Sequence, residues 1–273
     1  MSSDPVTSRD SHAPIGIFDS GFGGLTVMRA VVDQLPHEDI LYLGDTARAP
    51  YGQQTLEAVR EFALECLDHL VDLGVKMLVI ACNTASSAVL HDARQRYRVP
   101  VVEVILPAAT RAARATRSGN IGVICTAATA RSGAYADALT AVPGVRLTTK
   151  ACPQFVDFVE RGITSGPEIE RIARAYLQPL AEGRIDTLIL GCTHYPLLTG
   201  LISYVIGDDV TLVSSADTCA QEVYRRLAGT GMVNDQSAMG RRRFMTTGQP
   251  EMFRSIGERL MGPGFVDRVE QFL

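Results

Sequence analysis

At 273 residues, 46% of them hydrophobic, the chain is long for one domain, comfortable for two, and able to bury a sizeable core. A net charge of −4 without long runs of one sign argues against a nucleic-acid-binding face, which would be basic. No stretch approaches the roughly 20 apolar residues of a membrane helix, and the polar start MSSDPVTSRDSHAP has no apolar signal core, so residues 1–13 are expected to form a disordered lead and the protein to be cytoplasmic.

The first apolar run, IGIF (15–18), feeds a glycine-rich turn and a helix start. Gly21-Phe22-Gly23-Gly24 lacks the third glycine of G-x-G-x-x-G, so the turn is not a dinucleotide fingerprint. It still suits an anion or amine, because backbone amides at a helix start favour a carboxylate. Asp19 and Ser20 project there, although Asp19 could simply cap the helix. The second run, ILYLG (40–44), opens the loop GDTARAPYGQQT (44–55), where Pro50-Tyr51-Gly52 makes a tight turn able to bring backbone groups near a ligand. By itself that loop reads as ordinary surface. A helix is expected from Thr55 to Leu73, with Leu56, Val59, Ala63, Leu67 and Leu70 on one stripe and Gly74 as the stop. KMLVIA (76–81) and VVEVI (101–105) complete the first group of strands.

The pattern restarts after Pro107 with IGVIC (121–125), VRLTTK (145–150), DTLILG (186–191) and VTLVS (210–214), and RRFMTT (242–247) adds a late run. Apolar strands alternating with helices imply α/β architecture with mainly parallel sheets covered on both faces. The restart, and a return near Ser214, predict a first α/β domain of residues 14–106 plus 214–273 and a second of residues 107–213.

Six cysteines are present and none forms a CxxC pair, which favours free thiols over a disulfide framework. Two of them sit in an internal echo: LVIACNT (78–84) is answered by LILGCTH (188–194). In a parallel α/β sheet the carboxyl ends of strands face the ligand crevice, so Cys82 and Cys192 would stand on opposite sides of one cleft between two similar domains. Cys66 and Cys219 read as small core residues. Cys125 and Cys152 also end apolar runs but lack the Cys-polar-polar echo. Three chemistries suit a facing pair. A redox disulfide lacks a local resolving cysteine. Zinc bound by Cys82, Cys192 and His194 lacks tight local ligand pairs. Acid–base chemistry, with a thiolate removing a proton from one face of a carbon and a thiol returning one to the other, would invert a stereocentre; a free thiol pKa of about 8.5 lends itself to such tuning.

His194, two residues past Cys192, could tune that thiol, and Thr126 and Thr129 in ICTAATARSGAY (124–135) could offer hydroxyls to an acid or cap a helix. Glu160, in FVDFVERG, otherwise reads as a surface charge. The chain has two lysines, Lys76 and Lys150, neither well placed for a pyridoxal Schiff base.

DSGFGGLTV, GDTARAPYG, ACNTAS and GCTHYPLL, in this order, resemble the glutamate racemases of the cofactor-independent aspartate/glutamate racemase superfamily, from about Pro14 onward. The resemblance implies two pseudo-symmetric flavodoxin-like domains with the active site in the cleft between them, and interconversion of L- and D-glutamate for bacterial peptidoglycan without a cofactor or metal. It implies that Cys82 exchanges the α-proton with D-glutamate and Cys192 with L-glutamate, that Asp19 assists the first, and that His194 and Glu160 assist the second. Asp19, Ser20, Tyr51, Gly52, Asn83, Thr84, Thr126, Thr129, Thr193 and His194 match substrate contacts. Where the family pattern has Gly-Thr, this chain has Cys125-Thr126, a thiol that could narrow the pocket or point into the core. Some members form homodimers and some contact DNA gyrase; direct nucleic-acid binding and membrane association are not expected here. Two other readings stay open: an aspartate racemase or related isomerase on the same fold, and a non-catalytic module that binds an amino acid.

Overall fold

The most apolar runs in this chain become strands buried from both sides, whereas VRLTTK and VTLVS form partly exposed edge strands. The computed structural model describes residues 10–272. Its strands are β1 (Ile15–Asp19), β2 (Ile40–Gly44), β3 (Met77–Ile80), β4 (Val101–Glu103), β5 (Asn120–Cys125), β6 (Arg146–Ala151), β7 (Thr187–Gly191), β8 (Thr211–Ser214), β9 (Arg242–Thr246) and β10 (Val269–Gln271). They form two parallel sheets, ordered β10-β9-β2-β1-β3-β4 and β6-β5-β7-β8. The first four strands of each set follow the same order, second-first-third-fourth, which is the flavodoxin-like winding.

Alternation along each strand feeds two cores. In the first sheet Ile15, Ile17, Tyr42 and Val79 pack on one face, and Phe18, Leu43, Leu78 and Ile80 on the other. The second sheet repeats this, with Ile121, Val123 and Ile189 against Ile124, Leu188 and Leu190. Each such side chain, fully buried, contributes about 1.5–3 kcal/mol relative to exposure.

The chain passes between the sheets twice. Helix Ile105–Ala115 follows β4 but packs Ile105, Ala108 and Ala109 into the second sheet's core. Helix Ser215–Gly229 follows β8 but packs Ala216, Cys219 and Val223 into the first. The fourth run, VVEVI, stays extended only to Glu103. Its carboxylate accepts from the Ile105 and Leu106 amides and starts the helix.

Helix Leu56–Asp72 matches the expected stripe; Thr55 caps it by accepting from the Ala58 amide at 3.2 Å, and Gly74 beyond it takes φ +79°. β10, with the short polar sequence VEQ, carried no apolar signal. Of the expected lead, residues 1–9 lie outside the described residues, whereas the Ser11 carbonyl accepts from Lys76 Nζ and the His12 ring bonds Asn234. Among the described residues no helix is long and apolar enough to cross a membrane.

Candidate active site

Within each sheet the winding reverses between the first and third strands, and a crevice opens there at the carboxyl ends. The ends of β1 and β3 carry Asp19-Ser20 and Cys82; those of β5 and β7 carry Cys125-Thr126 and Cys192.

Cys82 occupies the cap position of helix Asn83–Arg96, where its sulfur accepts from the Ala85 amide at 3.4 Å. The Cys82 thiol donates to Ser20 Oγ at 3.3 Å. Burial and the Asp19 charge push this thiol up to about 12, against the pull of the Ser20 and Ala85 bonds. Asp19 is fully buried. One carboxylate oxygen accepts from the Gly21 amide at 2.9 Å, and the other has no partner within hydrogen-bond geometry among the described residues. Burial raises the Asp19 carboxyl, while the positive charge of His194 opposes the rise.

On the other side, Cys192 Sγ lies 3.8 Å from His194 Nδ1, and His194 Nε2 lies 3.0 Å from Glu160 Oε1 at the end of helix Gln154–Glu160. Burial works against a charged ring, but the bonds to Cys192 and Glu160 and their negative charge outweigh it and raise His194 to about 10. The glycine-rich turn makes this geometry possible. A methyl at Gly23 would overlap Thr193 Oγ1 and sit 2.5 Å from His194 Nδ1, so only glycine lets the first sheet's turn press against the second sheet's loop. Thr26 Oγ1 adds a bond to the Thr193 carbonyl at 2.8 Å.

Both thiols line one cavity of about 300 Å³. Ser20, Tyr51, Gly52, Asn83, Thr84, Thr126, Glu160, Thr193 and His194 line it as well. Two of the predicted residues do not: Asp19 and Thr129 lie behind the wall. Thr129 joins a triangle of hydroxyls with Thr84 (3.2 Å) and Thr126 (3.0 Å), and Thr84 and Thr126 meet at 2.9 Å between the sheets. Thr126 also caps its helix, accepting from the Thr129 amide at 3.2 Å, so the capping and lining roles coincide. The Tyr51 hydroxyl donates to Asp45, which is itself held by Arg48 and Thr247. Asn83 Oδ1 accepts from Tyr135 at 2.7 Å, while its buried amide nitrogen has no partner among the described residues. Larger concavities of about 460 and 550 Å³ contain neither thiol.

The departure at Cys125 resolves into the core. Its side chain is 0% exposed among Ile121, Val123 and Leu139, and it does not line the cavity. All six cysteines are buried free thiols. Lys76 pairs with buried Glu38, before β3 and away from the cavity. Sequence reasoning missed Arg131, Val156 and Asp157, which also line the cavity. Val156 and Asp157 stand one turn before Glu160, and Arg131 about one turn after Thr126; that helical spacing was the available signal.

Two thiols on one cavity, each at the end of an equivalent strand, can reach a bound carbon from different sides. Residues 15–223 match the family described as Asp/Glu/Hydantoin racemase. The chain is 59% identical over 254 residues to the glutamate racemase of Parafrankia sp. (strain EAN1pec), covering 93% of this chain and 92% of that one. Its fold is similar to that of glutamate racemase isoform RacE1 from Bacillus anthracis, with a TM-score of 0.90, 39% identity and coverage of 96% and 97%. It is similarly close to the glutamate racemase of Francisella tularensis solved in complex with D-glutamate, with a TM-score of 0.89, 34% identity and coverage of 96% and 98%. The resemblance carried by the four motifs is borne out: this chain belongs to the Asp/Glu/Hydantoin racemase family of isomerases.

Proposed function

We propose that the protein interconverts L- and D-glutamate by passing the α-proton through two thiols, supplying D-glutamate for peptidoglycan in the cytoplasm. The observation that carries this reading is the shared cavity: Cys82 and Cys192 line it from different sheets. Relatives named glutamate racemase, one of them solved with D-glutamate bound, favour glutamate over aspartate. The cleft then lies between a first domain of residues 14–106 plus 214–273 and a second of residues 107–213.

In the direction from L to D, Cys192 acts as thiolate beside the His194 ring. The Cα–H bond breaks and its proton passes to the Cys192 sulfur; the electron pair spreads into the α-carboxylate. The Cys82 thiol then gives its proton to the opposite face, leaving a thiolate. The pair is now charged for the reverse direction and resets by proton exchange with solvent. His194, bonded to Glu160, holds positive charge near Cys192, and Asp19 takes the matching place beside Cys82. The unpartnered Asn83 amide and the Ser20, Thr84 and Thr126 hydroxyls supply donors for the substrate carboxylates. Such positioned proton transfer contributes about 10²–10⁴-fold per group.

The test is racemisation of L-glutamate and L-aspartate in deuterated water without added cofactor, followed by optical rotation and by α-deuterium content. Glutamate should racemise with one solvent-derived α-deuterium. Cys82→Ser and Cys192→Ser should each lose two-way turnover by about 10²-fold or more. Turnover of aspartate alone, or serine variants as active as the wild type, would sink the reading.

A further inference from the structure

We infer that Arg131 is a substrate-positioning residue at the cleft mouth, drawing the anionic amino acid in and tying the loop after β2 to the second sheet above it. The inference rests on the glutamate reading. Arg131 lies on helix Ala127–Ser132, lines the cavity that holds both thiols, and is exposed at its rim. Its Nη2 donates to the backbone carbonyl of Gln54 at 3.3 Å, a bond from the second sheet's helix to the first sheet's loop. Beside it the two sides touch closely: a methyl at Gly52 would sit 2.9 Å from Thr126 Cβ. The guanidinium is therefore a polar tie across a seam that is already packed.

Charge gives the tie a second use. Two carboxylates line the cavity, Asp157 and Glu160, and Glu160 is committed to His194. Among the described residues Arg131 has no carboxylate in ion-pairing range, and the carbonyl of Gln54 takes one of the guanidinium's five N–H donors. The remaining donors and the full positive charge stand free at the entrance. Glutamate carries two carboxylates and one ammonium, a net negative charge. A cation at the mouth of a low-dielectric cleft raises the local concentration of such an anion and speeds its capture by about tenfold or more, an effect that salt screens.

The test compares kcat and KM for wild type, Arg131→Gln and Arg131→Lys at low and high ionic strength, with thermal midpoints as a folding control. Arg131→Gln should raise KM about tenfold at low salt with kcat changed less than about twofold, and its kcat/KM should lose the salt dependence of the wild type. Arg131→Lys should keep that dependence. An Arg131→Gln enzyme with the wild-type KM and salt response, or one that loses kcat at unchanged KM, overturns the inference. A wild type inactive on glutamate would overturn the underlying reading too, and that result comes from the wild-type arm alone, before any variant is assayed.

Discussion

Glu160 Oε1 stands 3.0 Å from His194 Nε2, and the other ring nitrogen stands 3.8 Å from Cys192 Sγ, so one imidazole joins a helix-end carboxylate to a thiol at the tip of β7. Burial disfavours charge on the ring, yet these two partners raise His194 from 6.5 to about 10. A raised folded-state pKa means that the native state holds the proton more tightly. The resulting stability is fully present below about 6.5 and is lost progressively as pH rises to about 10. Thermal midpoints measured across that window should fall more steeply for wild type than for His194→Asn. Parallel curves would show that the ring is not charged in the native state.

Gly23→Ala should damage the site from the first sheet's turn. The added methyl would crowd Thr193 Oγ1 and His194 Nδ1, and overpacking of this kind costs about 1–3 kcal/mol. Displacing His194 disturbs the Cys192 side most directly. Both directions share one equilibrium constant, however, so kcat/KM should fall for L- and D-glutamate together, by about tenfold or more. Initial rates with each enantiomer, beside a thermal midpoint, check this; unaltered rates would mean that the turn can yield.

Asn83→Asp keeps an acceptor for the Tyr135 hydroxyl but replaces the unpartnered amide donor with a carboxylate oxygen. If that donor meets a substrate carboxylate, the loss is that of a hydrogen bond to a charged group, about 1.5–3 kcal/mol, or roughly 10–100-fold in kcat/KM. Steady-state kinetics at constant pH measures it. A KM equal to that of the wild type would place the donor away from the substrate.

Tyr195→Phe tests how the loop after β7 is anchored. The buried hydroxyl reaches the carbonyls of Cys125 at 3.1 Å and Cys152 at 2.9 Å. Each carbonyl also accepts a backbone amide, from Cys152 and Phe155 respectively, so the variant leaves neither orphaned. The expected cost is the net worth of one hydrogen bond, about 1 kcal/mol, or a thermal midpoint lowered by about 2–4 °C. A drop several times larger would show that the hydroxyl does more than hold these two strand ends.

Much of the molecule was written locally. Short runs carrying apolar residues, continuous in the central strands, marked nine of the ten strands of the described residues, Thr55 and Gly74 marked the ends of a helix, and the echo of LVIACNT in LILGCTH put Cys82 and Cys192 at equivalent strand tips. These signals act over a few residues, through side-chain burial, capping and backbone freedom, so the order of residues suffices. The tertiary structure decided what those tips face. It set both thiols on one cavity, turned Glu160 from a surface charge into the partner of His194, sent Cys125 into the core, and brought Arg131 to the mouth and VEQ to a sheet edge. Those outcomes depend on how two sheets pack across helices Ile105–Ala115 and Ser215–Gly229, contacts between segments far apart in the chain that no local pattern encodes.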